Sequence, residues 1–590
     1  MTVAYLSAEI GLWSELHTYS GGLGVLAGDH VKSAADVGLD LVGITLLYRQ
    51  GYGRQHLDAN GVQTESYAEI DPSEHLIDTG IEIALPLDGS TLISRLWVAE
   101  VHGVRRRPDQ RDVAEKAARG ESAQVSGQGA GKGTAGMAVA SGGSGSLSKS
   151  IQVLFLDTRH ADNSPEHSSL GDRLYGGDDE NRIRQEYLLG VGGIRAMQAL
   201  GHGIDGLHLN EGHCTFAMLE MLRQGWSRDQ LAARTLFTTH TPVPAGHDRF
   251  DWHAVEAVLG EMLPDDSREL VRAAGDPQRG ERCSMSHLAV ALAGSVNAVS
   301  NLNAWVASSM FGETHIAPIT NGVHHLTWTS APMAALYDEH LVGWRSDPAL
   351  LAHAGRIPDA AIGEARAEAR GVLRDLVRAS TGVELQAQRL TIGFARRFAT
   401  YKRADLVFHD LDRLRSFGAD RLQFVFAGKA HPRDEGGKAL IESIFGSARE
   451  VADEIPVAFL EDYSMATGLA MTSGVDVWLN NPVRPMEASG TSGMKAAMNG
   501  VPNCSVLDGW WPEACEHGVN GWAIGGSEDE RDDERDAQNL LDTLEQHVLP
   551  AWDEGSQRWA SLVRAAIATS ARFTGARMIS DYQRFYDAFD

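Results

Sequence analysis

Short apolar runs alternate with longer stretches of helical periodicity, and this alternation constrains the fold more than any other feature of the chain. Each run is rich in Val, Ile, Leu and Phe and is bounded by Gly, Asp or Asn. Continuous runs of this kind are typical of strands buried on both faces, and their alternation with helices predicts parallel sheets. The runs are Val3–Ser7, Leu39–Tyr48, Val153–Asp157, Gly206–Asn210, Leu236–Thr241, Val296–Ser300, Leu390–Ala395, Leu422–Ala427, Val457–Leu460, Val475–Leu479, Asn503–Leu507 and Gly521–Ile524.

The runs form two series, which predict two doubly wound α/β domains with ligands at the carboxyl ends of the strands. We predict the boundary near Thr320–Val323, with an N-terminal domain over residues 1–321 and a C-terminal domain over 322–590. The segment Asp359–Ser380 predicts a long helix entering the second domain. Residues Arg105–Ser150 are charge-rich and then rich in Gly, Ser and Ala, so we expect a disordered surface insertion there.

Charge and composition exclude several classes of protein. The chain has 52 Lys and Arg against 79 Asp and Glu, a formal charge of −27, so we expect neither nucleic acid nor an anionic membrane as a partner. It contains no apolar stretch of about 18 residues and no signal-peptide pattern at Met1, which predicts a cytoplasmic location. Its four cysteines form no C-x-x-C motif and are expected to be reduced core thiols: Cys214, Cys283, Cys504 and Cys515.

The first motif is a glycine-rich loop over residues 19–30. Gly22, Gly24 and Ala27 match the G-x-G-x-x-A form of the dinucleotide fingerprint, but the loop lies too far beyond its strand. The following strand also lacks the acidic residue that binds a ribose, so a dehydrogenase is not indicated. The loop still predicts backbone N–H groups that approach an anion at a helix N-terminus. A tight turn that only packs the helix on the sheet is the alternative.

The second motif is basic and covers residues 394–403, just beyond a predicted strand. It places four cations within eight residues of an acidic chain: Arg396, Arg397, Lys402 and Arg403. Arginine binds phosphate through two hydrogen bonds and lysine offers a compact charge, so the motif indicates a site for one or two phosphates. A solvated helix start is the alternative interpretation.

The third motif covers residues 485–500, where Gly, Ser and Thr crowd a predicted helix N-terminus. Lys495 follows on that helix beside Met494, Ala496 and Ala497. Desolvation there should lower the pKa of the lysine and favour a neutral amine, as Schiff-base chemistry requires. A lysine that extends its amine to the surface is the alternative.

Together with four further segments, these motifs resemble α-glucan phosphorylases, the family of glycogen, starch and maltodextrin phosphorylases, in a short bacterial-type form. The similarity runs from Tyr5 to about Tyr586 except for the insertion, and the segment EASGTSGMK is its most specific part. The resemblance implies two Rossmann-like domains facing across a cleft, the GT-B glycosyltransferase fold. The further segments are Asn210–His213, Thr239–Pro242, Ile319–Val323 and Phe459–Tyr463.

The resemblance implies a reaction and a cofactor. A terminal α-1,4-glucosyl unit and inorganic phosphate would give α-D-glucose 1-phosphate, reversibly and with retained configuration. Lys495 would carry pyridoxal 5′-phosphate, whose own phosphate relays a proton to the substrate phosphate. Arg397 and Lys402 match the positions that clamp the substrate phosphate, together with a backbone amide of Gly22.

The resemblance also assigns a glucose subsite and the remaining cofactor contacts. Glu487, His240 and the clamp residues would be catalytic, with His240 near the 6-hydroxyl and the anomeric centre. The other sugar contacts would be Asn321, Ser489 and Gly490, and the other cofactor contacts Thr491, Ser492, Tyr463 and Arg396. No metal is implied, and a homodimer is a further expectation.

The sequence departs from the family at Asn303, where a histidine is usual, and we expect this to perturb the cleft. It begins at the first strand, which predicts that the phosphorylation and nucleotide control of animal members is absent. There are two rival functions. In a nucleotide-sugar glucosyltransferase such as glycogen synthase a glutamate would stand where Lys495 does, so Lys495 argues against that function. A non-catalytic glucan-binding or regulatory relative stays open as the alternative, and it would show no phosphate-dependent turnover. Chain-length preference and direction of flux are not determined by these motifs.

Overall fold

The computed structural model describes residues 1–103, 150–243, 246–259, 265–275, 282–418 and 420–589. The described part is built around two large β-sheets with helices on their faces. The predicted disordered insertion at 105–150 lies outside the described residues, except for Ser150, which begins a strand.

The first sheet has nine strands in the order β13-β12-β9-β8-β1-β2-β7-β6-β5. The strands from β13 to β7 run parallel, and β6 and β5 add an antiparallel edge. Order among the parallel strands reverses at β1, which creates a ligand-binding crevice at their carboxyl ends. The strands are β1 Val3–Ser7, β2 Leu41–Leu46, β5 Ile77–Leu87, β6 Ser90–His102, β7 Ser150–Asp157, β8 Gly206–Asn210, β9 Thr235–Thr239, β12 Ser295–Ala298 and β13 Ala317–Pro318.

The second sheet has six parallel strands in the order β16-β15-β14-β17-β18-β19, the arrangement of a doubly wound dinucleotide-binding fold. Two small antiparallel hairpins, β3–β4 and β10–β11, complete the strands. The remaining bounds are β3 Arg54–Leu57, β4 Gln63–Ser66, β10 Arg249–Asp251, β11 Arg282–Ser284, β14 Leu390–Ala395, β15 Leu422–Ala427, β16 Val457–Leu460, β17 Val477–Asn480, β18 Asn503–Val506 and β19 Gly521–Ile524.

Helices cover both sheets, so that central strands such as β1, β8 and β14 are buried along their whole length. The predicted helix from Asp359 is confirmed and ends at Thr381. The α-helices of the described part are Gly22–Val37, Pro165–Ser168, Asp179–Tyr187, Gly193–Ala199, Phe216–Arg223, Arg228–Ala233, Trp252–Leu259, Asp265–Gly275, Met285–Leu292, Asn301–Met310, His325–Trp328, Ala331–His340, Asp359–Thr381, Leu411–Ser416, Glu435–Glu450, Met465–Gly474, Thr491–Met498, Asp533–Thr543, Leu549–Asp553, Ser556–Ser570 and Gly575–Tyr586.

The chain crosses between the two sheets more than once. The backbone of Val323 exchanges hydrogen bonds with Phe573 (3.0 Å) and Gly575 (2.7 Å), which ties the linking segment to the C-terminal helix. That helix packs on the helix Gly22–Val37, and its Tyr586 hydroxyl lies 2.6 Å from His208 Nδ1. The division at residues 321 and 322 stays a prediction. None of the described helices combines the length and apolarity that a bilayer span requires.

Candidate active site

A cavity of about 280 Å³ lies between the two sheets, at the carboxyl ends of their central strands. Its walls bring together every site residue that the resemblance assigned, although the individual roles stay predictions. From the first sheet's side come Gly22, His240 and Asn321; from the second come Arg396, Arg397, Lys402, Tyr463, Glu487, Ser489, Gly490, Thr491, Ser492 and Lys495.

The glycine loop is held by a buried carboxylate on the strand side. Glu9 Oε2 accepts a hydrogen bond from the Ser20 backbone N–H (2.5 Å), and its Oε1 accepts one from the Tyr175 hydroxyl (2.6 Å). The helix Gly22–Val37 then starts with its N-terminal N–H groups at the cavity. A β-carbon on Gly21 would stand 3.3 Å from Arg397 Nη2, so the glycine permits the guanidinium to approach the loop.

Arg397 follows β14 and reaches across the cavity to this loop, where Nη2 donates to Ser20 Oγ (2.9 Å). Burial lowers the pKa of Arg397, but the facing Tyr52 and Glu9 more than offset burial, and the pKa is raised overall. The guanidinium is therefore a permanent positive charge beside backbone N–H groups. Such a pairing suits an anion with several oxygens.

Glu487 pairs with two further cations of the basic motif. Its Oε2 lies 2.6 Å from Arg396 Nη2 and 2.8 Å from Lys402 Nζ. Burial would raise the pKa of Glu487, yet the two cations lower it to about 2, so the carboxylate is ionised. Lys402, expected at the substrate phosphate, and Glu487, expected at the sugar, are thus paired with each other in this structure.

The fourth cation of the motif is structural. Arg403 is buried and donates to the carbonyls of Asn481 (3.1 Å) and Pro482 (2.8 Å), and it pairs with Asp533 and Asp536. It does not line the cavity. Three cations of the motif, rather than four, concentrate positive charge there.

Lys495 lies on the helix Thr491–Met498, which starts after Gly490 in the left-handed region at φ +83°. Its side chain is 5% exposed, and Nζ lies 3.6 Å from the centre of the Trp328 ring. Burial lowers the pKa of Lys495 to about 8, partly offset by Asp29 and reinforced by Lys32. The predicted desolvation is confirmed, and the alternative of an amine extended to the surface is wrong.

Asp29, which the sequence did not indicate as a site residue, acts on Lys495 through Trp328. Both of its carboxylate oxygens accept from Trp328 Nε1, at 2.8 and 2.9 Å. Burial raises the pKa of Asp29, and Lys495 and Lys32 act in the opposite direction. Asp29, on the helix Gly22–Val37, therefore fixes the position of the Trp328 ring that lies beneath the Lys495 amine.

Three buried polar atoms of wall residues have no partner among the described residues: Tyr52 Oη, Asn321 Oδ1 and Ser489 Oγ. Leaving a buried polar atom unpaired costs about 1–3 kcal/mol, so such atoms point to a ligand that would pair with them.

The His240 imidazole, in contrast, has a hydrogen-bond partner that fixes its orientation. Its Nε2 donates to Asn210 Oδ1 (2.6 Å), because Asn210 Nδ2 already donates to Ser7 Oγ (3.0 Å). Burial lowers the pKa of His240 to about 4, so the imidazole is neutral.

Known proteins resemble the chain over almost its whole length. The family model for carbohydrate phosphorylases matches residues 251–519. The maltodextrin phosphorylase of Thermococcus litoralis is 36% identical over 99% of this chain and 70% of its own length. The glycogen phosphorylases of Mycobacterium tuberculosis and Aquifex aeolicus are 35% and 33% identical over 99% of this chain, and over 70% and 86% of theirs. The chain belongs to the carbohydrate phosphorylase family. The GT-B fold expected from the resemblance is confirmed.

In this carbohydrate phosphorylase a further cation, Lys429, lines the cavity. Lys429 lies just beyond β15, donates to the Gly53 carbonyl (3.1 Å) and pairs with Asp462. Tyr52 and His17 line the same wall. The sequence signal for Lys429 was its place two residues after a predicted strand, where open α/β sheets bind ligands.

Asn303 does not line the cavity. It is buried, and its Oδ1 accepts from the Val299 backbone N–H (3.3 Å) inside the turn that precedes its helix. Val299 lines the cavity, so Asn303 contacts the wall through this one residue, and the expected perturbation of the cleft stays a prediction. His213 is likewise off the wall, with Nε2 3.2 Å from Asp248 Oδ2.

Proposed function

We propose that this protein is an α-1,4-glucan phosphorylase, a glycosyltransferase of carbohydrate metabolism. It would cleave the terminal α-1,4-glucosyl unit with inorganic phosphate, reversibly and with retention, to give α-D-glucose 1-phosphate. The observation that carries the proposal is one cavity that contains both a buried lysine of lowered pKa and a cluster of cations in a chain of charge −27. Relatives named maltodextrin and glycogen phosphorylase support the substrate class.

The residues around Lys495 fit pyridoxal 5′-phosphate. The amine is buried above an apolar ring, and Thr491 and Ser492 open the helix with N–H and hydroxyl groups directed to the same cavity. We propose that Lys495 holds the cofactor, that Thr491, Ser492 and Arg396 hold its phosphate, and that Tyr463 lies beside it. The bound cofactor supplies a phosphate that donates and accepts a proton near neutral pH.

The substrate phosphate would bind where Arg397 meets the glycine loop. The guanidinium offers parallel N–H donors, and the Gly22 end of the helix offers backbone N–H groups and a favourable dipole. Lys402 would turn from Glu487 toward the incoming phosphate, and Lys429 adds a further positive charge. These cations neutralise an anion that must donate a proton to the leaving oxygen and then attack the anomeric carbon from the same face, which retains the configuration.

The glucosyl unit would bind on the opposite wall. The ionised Glu487 accepts from sugar hydroxyls, and the unpartnered Ser489 Oγ and Asn321 Oδ1 supply further hydrogen bonds beside Gly490. Neutral His240, fixed by Asn210, keeps Nδ1 as an acceptor for the 6-hydroxyl. Burial of Glu487 and His240 in the wall strengthens these contacts as positive charge develops at the anomeric carbon.

A phosphorolysis assay tests the proposal. The purified chain, supplied with pyridoxal 5′-phosphate, maltoheptaose and inorganic phosphate, should release glucose 1-phosphate. Release should require phosphate, and Lys495→Ala should abolish it while Lys438→Ala, on the helix Glu435–Glu450 away from the cavity, should not. A folded, cofactor-loaded protein without phosphate-dependent turnover would favour the glucan-binding alternative. The cytoplasmic location and the homodimer are further proposals that this assay does not address.

A further inference from the structure

The loop that carries two of the proposed sugar contacts belongs to no strand or helix. It covers residues 487–490, between the end of β17 and the helix Thr491–Met498, and we call it the glucose loop. All four of its residues line the cavity, where Glu487 and Ser489 are expected to bind sugar hydroxyls. The position of these two groups therefore depends on what holds the backbone of the loop from behind.

A turn just after β18 holds the glucose loop. Asp508 is fully buried, and its Oδ2 accepts a hydrogen bond from the Glu487 backbone N–H at 2.9 Å. Two residues later, the backbone N–H of Trp510 donates to the Ser489 carbonyl at 2.8 Å. This turn, residues 508–510, thus contacts the loop at both sugar-binding residues, and we call it the support turn.

The middle of the support turn lies very close to the glucose loop. Gly509 adopts a left-handed conformation at φ +58°, and its N–H donates to Asp508 Oδ1 at 2.8 Å. A β-carbon on Gly509 would stand 2.4 Å from the Ser489 carbonyl oxygen, closer than a side chain tolerates. The glycine therefore permits the close approach, and the Asp508 carboxyl fixes the turn that makes it.

The contact between Asp508 and the Glu487 N–H does not require a full negative charge. Burial raises the pKa of Asp508 to about 7, the N–H groups of Glu487 and Gly509 oppose this, and the Glu487 carboxylate reinforces it. The facing cation, Arg484, is itself paired with Asp529 at 2.7 Å. At neutral pH the carboxyl is therefore partly protonated, and in either state one oxygen can accept from the Glu487 N–H.

The side chain of Glu487 is held separately from its backbone. Its carboxylate lies 2.6 Å from Arg396 Nη2 and 2.8 Å from Lys402 Nζ, on the side of the basic motif. Arg397, where the substrate phosphate is expected, lies against the glycine loop. Loss of the backbone contact should therefore displace the main chain of the glucose loop and the Ser489 hydroxyl, and leave the phosphate site in place.

We propose that Asp508 is a positioning residue for glucan binding, which sets the place of Glu487 and Ser489 against the sugar through the support turn. It does not line the cavity, so its effect passes through the backbone of the glucose loop. Without its oxygen the buried Glu487 N–H would lack an acceptor, and the loop would move to find one. The inference rests on the proposed function for the identity of the sugar-binding residues.

The test uses the full chain loaded with pyridoxal 5′-phosphate. Asp508→Ala removes the acceptor and should weaken maltoheptaose binding, measured by calorimetry without phosphate, by about tenfold, the effect of one unsatisfied buried N–H. In steady-state assays the KM for maltoheptaose should rise equally, and the KM for phosphate should not. Asp508→Asn keeps an amide oxygen for the Glu487 N–H and should restore binding.

Asp410→Ala is the matched control. The Asp410 carboxylate also accepts from a backbone N–H, that of Arg413 at 2.9 Å, and caps the helix Leu411–Ser416 away from the cavity. Its loss should lower the melting temperature and leave maltoheptaose binding unchanged. Should Asp508→Ala not fold, Gly509→Ala takes its place, because the added β-carbon displaces Ser489; the same loss of maltoheptaose binding is expected, and unchanged binding counts against the support turn.

Unchanged maltoheptaose binding in Asp508→Ala would overturn the proposal, as would an equal loss in Asp508→Asn or a parallel rise in both KM values. Weakened binding in a chain without phosphate-dependent turnover would support this inference and refute the proposed function. Turnover in which Asp508→Ala leaves glucan binding unchanged would do the reverse. Absence of maltoheptaose binding to the unaltered chain would overturn both.

Discussion

The amine of Lys495 can be titrated directly, because only its neutral form reacts with acylating reagents. Burial lowers the pKa from the usual 10.5 to about 8, a difference worth about 3 kcal/mol. At pH 7 the neutral amine should amount to about 9% of the population, against about 0.03% for an unperturbed lysine, a gain of roughly 300-fold. Cofactor attachment at neutral pH depends on this fraction.

Asp29→Asn is the informative perturbation. The Asp29 carboxylate raises the pKa of Lys495 against the larger effect of burial. Removing its charge should lower the pKa of Lys495 further, while the amide oxygen of the asparagine can still accept from Trp328 Nε1. The reactive fraction at neutral pH should then increase.

The assay treats the cofactor-free chain with a limiting acylating reagent at pH values from about 6 to 10 and quantifies the Lys495 peptide by mass spectrometry. A free lysine peptide serves as the reference for reagent decay. We expect a midpoint near pH 8, shifted to lower pH in Asp29→Asn. A midpoint near pH 10, or one that Asp29→Asn leaves in place, would refute the account of this lysine.

Three further predictions concern the walls of the cavity. Arg397→Ala removes a charged donor worth about 2 kcal/mol and should raise the KM for phosphate roughly thirtyfold; an unchanged KM in steady-state assays would exclude Arg397 from the phosphate site. Glu487→Gln leaves Arg396 and Lys402 without their buried partner and should lower the free energy of unfolding by about 3–5 kcal/mol at pH 7 in urea titrations. Because the pKa of Glu487 is depressed to about 2, the contribution of its carboxylate to the free energy of unfolding is fully present above pH 4.5 and is lost as the pH falls through about 2. The difference in free energy of unfolding between the unaltered chain and Glu487→Gln should therefore shrink on acidification. A difference that stays constant would contradict the ion-pair assignment. Asn321→Ala should raise the KM for maltoheptaose about fivefold by removing one hydrogen bond, whereas Asn303→Ala, off the cavity wall, should not; equal effects would count against the sugar contact.

The strands could be predicted where both faces are buried. All twelve apolar runs are strands, although some bounds shift by one to three residues, as for β2 and β7. The runs failed to indicate β5 and β6, which lie at the antiparallel edge. In β5 exposed and buried residues alternate, as in a strand with one solvated face, so no continuous run marks it.

The sequence could predict which residues share the site, but not which of them contact one another. Motifs separated by hundreds of residues converge because each follows the carboxyl end of a strand or opens a helix at the same edge. The Lys402–Glu487 pair, the buried role of Arg403 and the Asp29–Trp328 contact behind Lys495 depend on tertiary distances that spacing along the chain does not encode.

Product analysis of a single reaction tests the central claim most directly. The chain, loaded with pyridoxal 5′-phosphate, is incubated with maltoheptaose and inorganic phosphate, and the products are identified by phosphorus NMR and chromatography. The expected result is one α-D-glucose 1-phosphate for each glucosyl unit removed from the glucan, with maltohexaose as the first shortened product. Free glucose, the β-anomer, or shortening of the chain in the absence of phosphate would contradict it.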